Sequence, residues 1–319
     1  MALTKRRVWF VATVAVAFAA VMSAMSGKAE ATFPGKNGKI AYANYDGNDY
    51  EIYTINPVAG GEFRVTNNDK DDVEPSFSPD GKRIAYVASD GNDYEIYTIK
   101  VGGGGKTQVT NNDKNDFSPT YSPDGKKIAY VSSSRSDWEI YTIKVGGGSR
   151  TRVTNNDKYD FSPTYSPSGE KIAYECSDGN EYDSADIEIC TINARGGSKF
   201  QVTNNDTDDY HPDYSPNGNR IVYEGFEGSE GDNDSDDAST NIYTIKVGGG
   251  GKFNVTKSPK NASVYNTWPS YSPDGAKIAY ANYDGTDSEI YTINVGGGDK
   301  TGYVRSHQQY EGLSWGRRR

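Results

Sequence analysis

The chain has 319 residues, a formal net charge of −10, two cysteines and two histidines. An acidic surface of this kind repels a phosphate backbone, which argues against nucleic-acid binding. No cysteine–histidine cluster has zinc spacing and no Gly-x-Ser-x-Gly nucleophile elbow occurs, so the common hydrolytic chemistries are not expected.

Residues 1–31 have the layout of a secretory signal: a basic head (Lys5, Arg6, Arg7), an uncharged apolar run from Val8 to Val21, and Ala29-Glu30-Ala31 as a small-x-small cleavage site. The run is shorter than the roughly 20 residues a spanning helix needs, so no stable membrane span is expected after cleavage, an uncleaved anchor being the alternative. The expected product is a periplasmic or extracellular domain of residues 32–319. Its charge would be −13, because the signal carries Lys5, Arg6, Arg7 and Lys28 against Glu30.

From there one unit is written six times. Ile-Ala-Tyr begins at Ile40, Ile84, Ile128, Ile172 and Ile278, and Ile221-Val222-Tyr223 is the fifth copy in chain order. Each is followed by an Ile-Tyr-Thr echo at Ile52, Ile96, Ile140, Ile242 and Ile290, or by Ile189-Cys190-Thr191. Steps of 44, 44, 44, 49 and 57 residues built from short β-rich pieces are the mark of propeller blades. The second unit reads as four strands, at Ser76–Ser78, Arg83–Ala88, Glu95–Val101 and Lys106–Thr110. Ser78-Pro79-Asp80-Gly81, an Asp-Gly loop and a glycine run supply the turns between them. The glycine runs after Val101, Val145, Val247 and Val295 lead into strands, not a helix, so they read as turns and not as phosphate cradles.

The ends of the chain complement each other. The first unit lacks an innermost strand, and Leu313-Ser314-Trp315-Gly316 matches Pro75-Ser76-Phe77-Ser78 with no partner of its own. The expectation is an all-β, six-bladed β-propeller with four antiparallel strands per blade, closed by the C-terminal strand completing the first blade. Tyr42, Tyr86, Tyr130, Tyr174, Tyr223 and Tyr280 are expected between blades, as core. Cys176 and Cys190 fall on the two strands of one predicted hairpin, where either a disulfide or two buried thiols would fit.

Ser-Pro-Asp-Gly at 78, 122 and 272, Ser-Pro-Ser-Gly at 166 and Ser-Pro-Asn-Gly at 215, each followed by an Ile-Ala-aromatic or Ile-Val-Tyr strand, resemble the TolB-type propeller family across essentially the whole of 32–319. The resemblance implies a six-bladed ring in an exported protein, working as a protein-binding platform in an envelope or translocation system. The repeats take up residues 32–319, so the family's separate N-terminal domain is not expected within them, and the first unit lacks the Pro-Asp-Gly turn.

Strand alternation puts the Ser-Pro-Asp-Gly and glycine turns on one face, and the Asp-Gly loops and Asn-Asn-Asp connectors on the other. The second face carries the length changes. Ile-Ala-Tyr to Ile-Tyr-Thr takes 10 residues in most units, 15 in the fourth and 19 in the fifth. Insertions confined to one face of a repeat protein suggest a binding surface, although exposed loops also drift in length. Asp72, Asp116, Asp160, Asp209 and Asn266 hold one equivalent place there and are expected to ring the channel mouth, as a surface for a cation or a basic protein partner or as turn formers. Trp138 and Trp268 are expected beside them as contact residues. Asp232, Asp234 and Asp236, in the longest insertion, alternate as Ca²⁺ ligands do without matching an EF-hand, and a solvated acidic loop fits as well. The reading is a monomeric, non-catalytic protein-binding scaffold. The alternative is a Ca²⁺-dependent ligand- or glycan-binding module, with Ca²⁺ the one cofactor suggested.

Overall fold

The computed structural model describes residues 34–134, 137–177, 187–227, 239–259 and 263–318. The first segment opens with β1 (Lys36–Tyr45), β2 (Tyr50–Ile55) and β3 (Glu62–Arg64). Blade two is β4 (Asp72–Phe77), β5 (Arg83–Ser89), β6 (Tyr94–Lys100) and β7 (Thr107–Gln108). Blade three is β8 (Asp116–Tyr121), β9 (Lys127–Ser134), β10 (Asp137–Lys144) and β11 (Thr151–Arg152). Blade four is β12 (Asp160–Tyr165), β13 (Lys171–Ser177), β14 (Ile187–Asn193) and β15 (Phe200–Gln201). Blade five is β16 (Asp209–Tyr214), β17 (Arg220–Phe226), β18 (Thr240–Lys246) and β19 (Phe253–Asn254). Blade six is β20 (Tyr265–Tyr271), β21 (Lys277–Tyr283), β22 (Ser288–Asn294) and β23 (Thr301–Ser306). Finally β24 (Leu313–Arg318) pairs antiparallel with β1, Ile40 opposite Trp315, and completes blade one as the sequence predicts. No helix among the described residues is long and apolar enough to cross a membrane.

Local chemistry explains the strand breaks. The Ser78 hydroxyl donates to Asp80 Oδ1 (2.7 Å) and accepts from Arg83 N (2.9 Å), while Gly81 N donates to Ser78 O (2.8 Å). Gly81 has φ +65°, and a Cβ there would lie 2.6 Å from the Arg317 carbonyl oxygen, so both conformation and space demand glycine. At the other end of the hairpin Thr110 Oγ1 accepts from Ile96 N (2.8 Å) and fixes the outermost strand.

The core lies between blades. The six repeated tyrosines are at most 1% exposed. Five pack on the aromatic ring of the next strand at centroid distances of 5.7–6.0 Å, stacked in blades one, five and six and tilted in blades two and three, as Tyr86 is on Tyr97. Such pairs add about 0.5–1.5 kcal/mol beyond area burial. In blade four that partner is Cys190, opposite Tyr174, and Cys190 is disulfide-bonded to Cys176 with a Cα–Cα distance of 5.8 Å.

Candidate functional site: the channel and its aromatic mouth

The innermost strands β4, β8, β12, β16, β20 and β24 surround a central cavity of about 130 Å3. All six pairings carry a register shift against the next strand, and in five the extra residue lies in the inner strand itself, for example between Val73 and Ser76, so one stretch of each of these five bulges toward the axis. At each bulge sits the residue before the blade's proline: Glu74, Ser118, Ser162, His211 and Trp268. All five have φ between +47° and +54°. For a non-glycine residue this conformation costs on the order of 1–3 kcal/mol, and such strain collects at functional sites. Gly312 completes the ring with φ +86°, and a Cβ there would lie 2.7 Å from Glu74 Cα. All six line the cavity.

Carboxylates and one imidazole tie this ring together. Glu74 Oε2 accepts from Ser118 N (2.5 Å) across the blade boundary. Glu175 Oε1 accepts from His211 N (2.8 Å), and Glu224 Oε2 pairs with His211 Nδ1 (2.9 Å). The other side of the imidazole stacks on Trp268, centroids 3.7 Å apart. Asp213 Oδ2 accepts from Tyr271 N (2.8 Å). Burial pushes the Glu74 carboxyl up to about 7 and Asp213 to about 6. For His211 burial works against the charged form, but the bond to Glu224 and the charges of Glu175, Glu224 and Glu74 outweigh it and raise the pKa. The channel is thus an acidic lining in which burial favours the protonated carboxyls, with one imidazole held among them.

The mouth on the insertion face is aromatic. Tyr94, Phe117, Trp138 and Phe161 form a half-buried string with successive centroids 5.3, 5.7 and 5.7 Å apart, spanning blades two to four. Trp138 lies in the middle of this string. Trp268 lines the channel and also a second cavity with Tyr265, Tyr283 and Tyr310.

Asp72, Asp116, Asp160 and Asp209 do open the innermost strands, but they are 0% exposed and Asn266 is 1% exposed. They therefore do not form the mouth rim that the repeat spacing suggests; the channel lining begins two residues later. Each aspartate accepts from an asparagine four residues earlier, as Asp116 Oδ2 does from Asn112 Nδ2 (2.8 Å), and meets a buried glutamate of the preceding blade. Asp232, Asp234 and Asp236 lie outside the described residues. Sequence reading missed Glu74 and His211. The signal was present: in near-identical repeats, the place before the blade proline reads Glu, Ser, Ser, His, Trp.

The TolB beta propeller domain family matches residues 30–233. The chain belongs to that family. Among solved structures it is similar to TolB from Acinetobacter baumannii, with 21% identity and a TM-score of 0.72, covering 94% of this chain and 70% of that one. It is also similar to a TolB-type protein from Agrobacterium tumefaciens, with 19% identity and a TM-score of 0.64 over 86% and 91% of the two chains. An oligogalacturonate lyase in complex with manganese matches at 14% identity and a TM-score of 0.55, over 85% and 75%. At these identities the likeness shows the fold. No curated protein matches the chain in sequence.

Proposed function

We propose that this TolB-like propeller is an exported, monomeric, non-catalytic scaffold whose insertion-face mouth receives a basic segment of a protein partner. The observation that carries the reading is the ring of strained positions Glu74, His211 and Trp268. Their side chains differ from blade to blade at one equivalent channel-lining position. Around them, half-buried aromatic rings offer area at low entropic cost, and the carboxylates below offer charge complementarity to Lys or Arg. Residues 1–31 act as the export signal, so the mature protein begins at Thr32. A scaffold role also fits the chemistry of the channel: its one imidazole is occupied by Glu224 and Trp268. Asp72, Asp116, Asp160, Asp209 and Asn266 then act behind this surface, holding the inner strands that present it.

Photo-crosslinking residues placed at Trp138 and Trp268, and at Lys82 and Lys126 on the opposite face, test this in the native cell. Adducts to one and the same protein from the first pair, absent from the second, are expected, with loss of the adduct at position 138 when Glu74 is changed to Gln. Adducts confined to the opposite face would refute the proposal.

A further inference from the structure

Outside the channel, three carboxylates converge at each of two equivalent loops. Oxygens of Asp46, Asp49 and Glu51 lie within 4.8 Å of one another, and so do those of Asp90, Asp93 and Glu95. Both loops read Asp-Gly-Asn-Asp-Tyr-Glu and sit on the insertion face, between the second and third strands of blades one and two. Two oxygens on opposite sides of one Ca²⁺ are themselves about 4.8 Å apart.

A second observation separates these loops from ordinary acidic turns. Asp49 is only 6% exposed, and among the described residues neither of its carboxylate oxygens has a hydrogen-bond partner. In blade two the equivalent Asp93 Oδ1 is likewise buried without a partner. A buried carboxylate oxygen with no donor is costly and calls for a cation. Among the described residues the chain's own cations do not meet that need. Arg64 reaches Asp46 (2.6 Å) and Glu51 (2.8 Å), leaving three negative charges against one positive in blade one. In blade two Gln108 takes the register position of Arg64, opposite Tyr97 as Arg64 is opposite Tyr53, so the guanidinium is gone. Lys70 stands beside Asp90, but its Nζ donates to the Ser89 carbonyl (3.1 Å). Blade three is the internal control. Ser134 replaces the first aspartate, and Arg152 spans the two remaining carboxylates, Asp137 (3.8 Å) and Glu139 (2.5 Å). Two acids are matched by one arginine; three are not.

We propose that the loops 46–51 and 90–95 are divalent-cation sites, with Ca²⁺ the fitting ion because every ligand is a hard oxygen and the loops are open enough for water to complete the shell. The blade-two site is the tighter one, since no guanidinium competes there. These sites use residues other than the aspartates at 232, 234 and 236.

Calorimetric titration of chelator-treated protein with CaCl2 tests this. Two binding events are expected, with Kd on the order of 10⁻⁴–10⁻³ M as in extracellular modules. Asp93→Asn removes the tighter event, Asp49→Asn the weaker, and the double variant both. Arg64→Gln gives blade one the composition of blade two and tightens its site about tenfold, while Gln108→Arg weakens the other about tenfold; both changes use residues the repeat already carries, so folding is preserved. Absence of Ca²⁺ binding at 10 mM in the native protein (about tenfold above the weaker limit), or both events surviving in the double variant, overturns the proposal. So does loss of binding only on deletion of 228–238, which would assign the ion to the acidic insertion.

Discussion

The buried acids are where single residues have the largest consequence. Glu95 and Asp116, and likewise Glu188 and Asp209, face each other across a blade boundary with almost no exposure. Burial raises one member of each pair, Glu95 and Asp209 respectively, and the partner's charge adds to it. Asp160 is raised in the same way, to about 7. The fifth boundary supports a shared proton: there both places are amides, Asn241 and Asn266, each fully hydrogen-bonded. A carboxyl raised in the folded state holds a proton that the unfolded chain has released. Its contribution therefore favours folding below its unfolded value near 4 and is lost as pH rises through about 7. His211, also raised, acts in the same direction. The midpoint of thermal unfolding is expected to rise by several degrees from pH 8.5 to pH 5.5, measured by calorimetry in chelator; no change, or a fall, would contradict the pairing. Glu188→Gln supplies a donor to Asp209 and should stabilise the protein by about 1 kcal/mol at pH 8.5 while flattening the pH dependence. None of this was legible beforehand. The spacing located the aspartates, but burial depends on the glutamate that the neighbouring blade brings against them.

At the scale of strands and turns, more could be read in advance. The Ser-Pro-Asp-Gly turns and Ile-Ala-Tyr strands fall where the repeat puts them, because the hydroxyl, the aspartate and a glycine with positive φ fix each turn locally. The bulges did not announce themselves, because a proline in an inner strand shows only that one ladder bond is missing and not which way the preceding residue turns. The Cys176–Cys190 bond was open for a related reason: register decides it, and the two cysteines turn out diagonal, with Tyr174 opposite Cys190 and Cys176 opposite Glu188. The bond closes a loop with a sequence separation of 14 that contains the blade-four insertion. By loop-closure entropy its removal, as Cys176→Ser with Cys190→Ser, should cost about 2–3 kcal/mol. Denaturant melts that reveal no loss would contradict the loop-closure account of this bond. Gly81→Ala, strained in φ and set against the Arg317 carbonyl, is expected to destabilise by about 1–3 kcal/mol in the same assay.

The whole ring depends on one non-local event, the return of the C-terminal strand to the first blade. Ring closure was legible because the two chain ends are complementary fragments of one repeat; the bonds that hold it were not. Trp315 N donates to Ser270 Oγ (3.1 Å) in blade six, and Phe77 N in blade two donates to Ser314 Oγ (3.2 Å), so β24 is stitched to both neighbours as well as to β1. Trp315 is 5% exposed and packs with Ile40, Tyr42 and Tyr310. Removing residues 310–319 would uncover that cluster and the edge of β1 together, leaving the first blade a row of unpaired amides. The truncated chain is expected to lose its cooperative transition and to aggregate, whereas Trp315→Ala, which keeps the strand, should cost about 3–5 kcal/mol and still close. A permuted chain separates closure from mere length. Residues 310–319 joined ahead of Pro34 by a short linker present the same strand as a hairpin, because Arg318 already lies opposite Lys36. That protein should melt within a few degrees of the native one in calorimetry. A permutant as unstable as the truncation would show that the order of the chain, and not the strand itself, holds the ring shut.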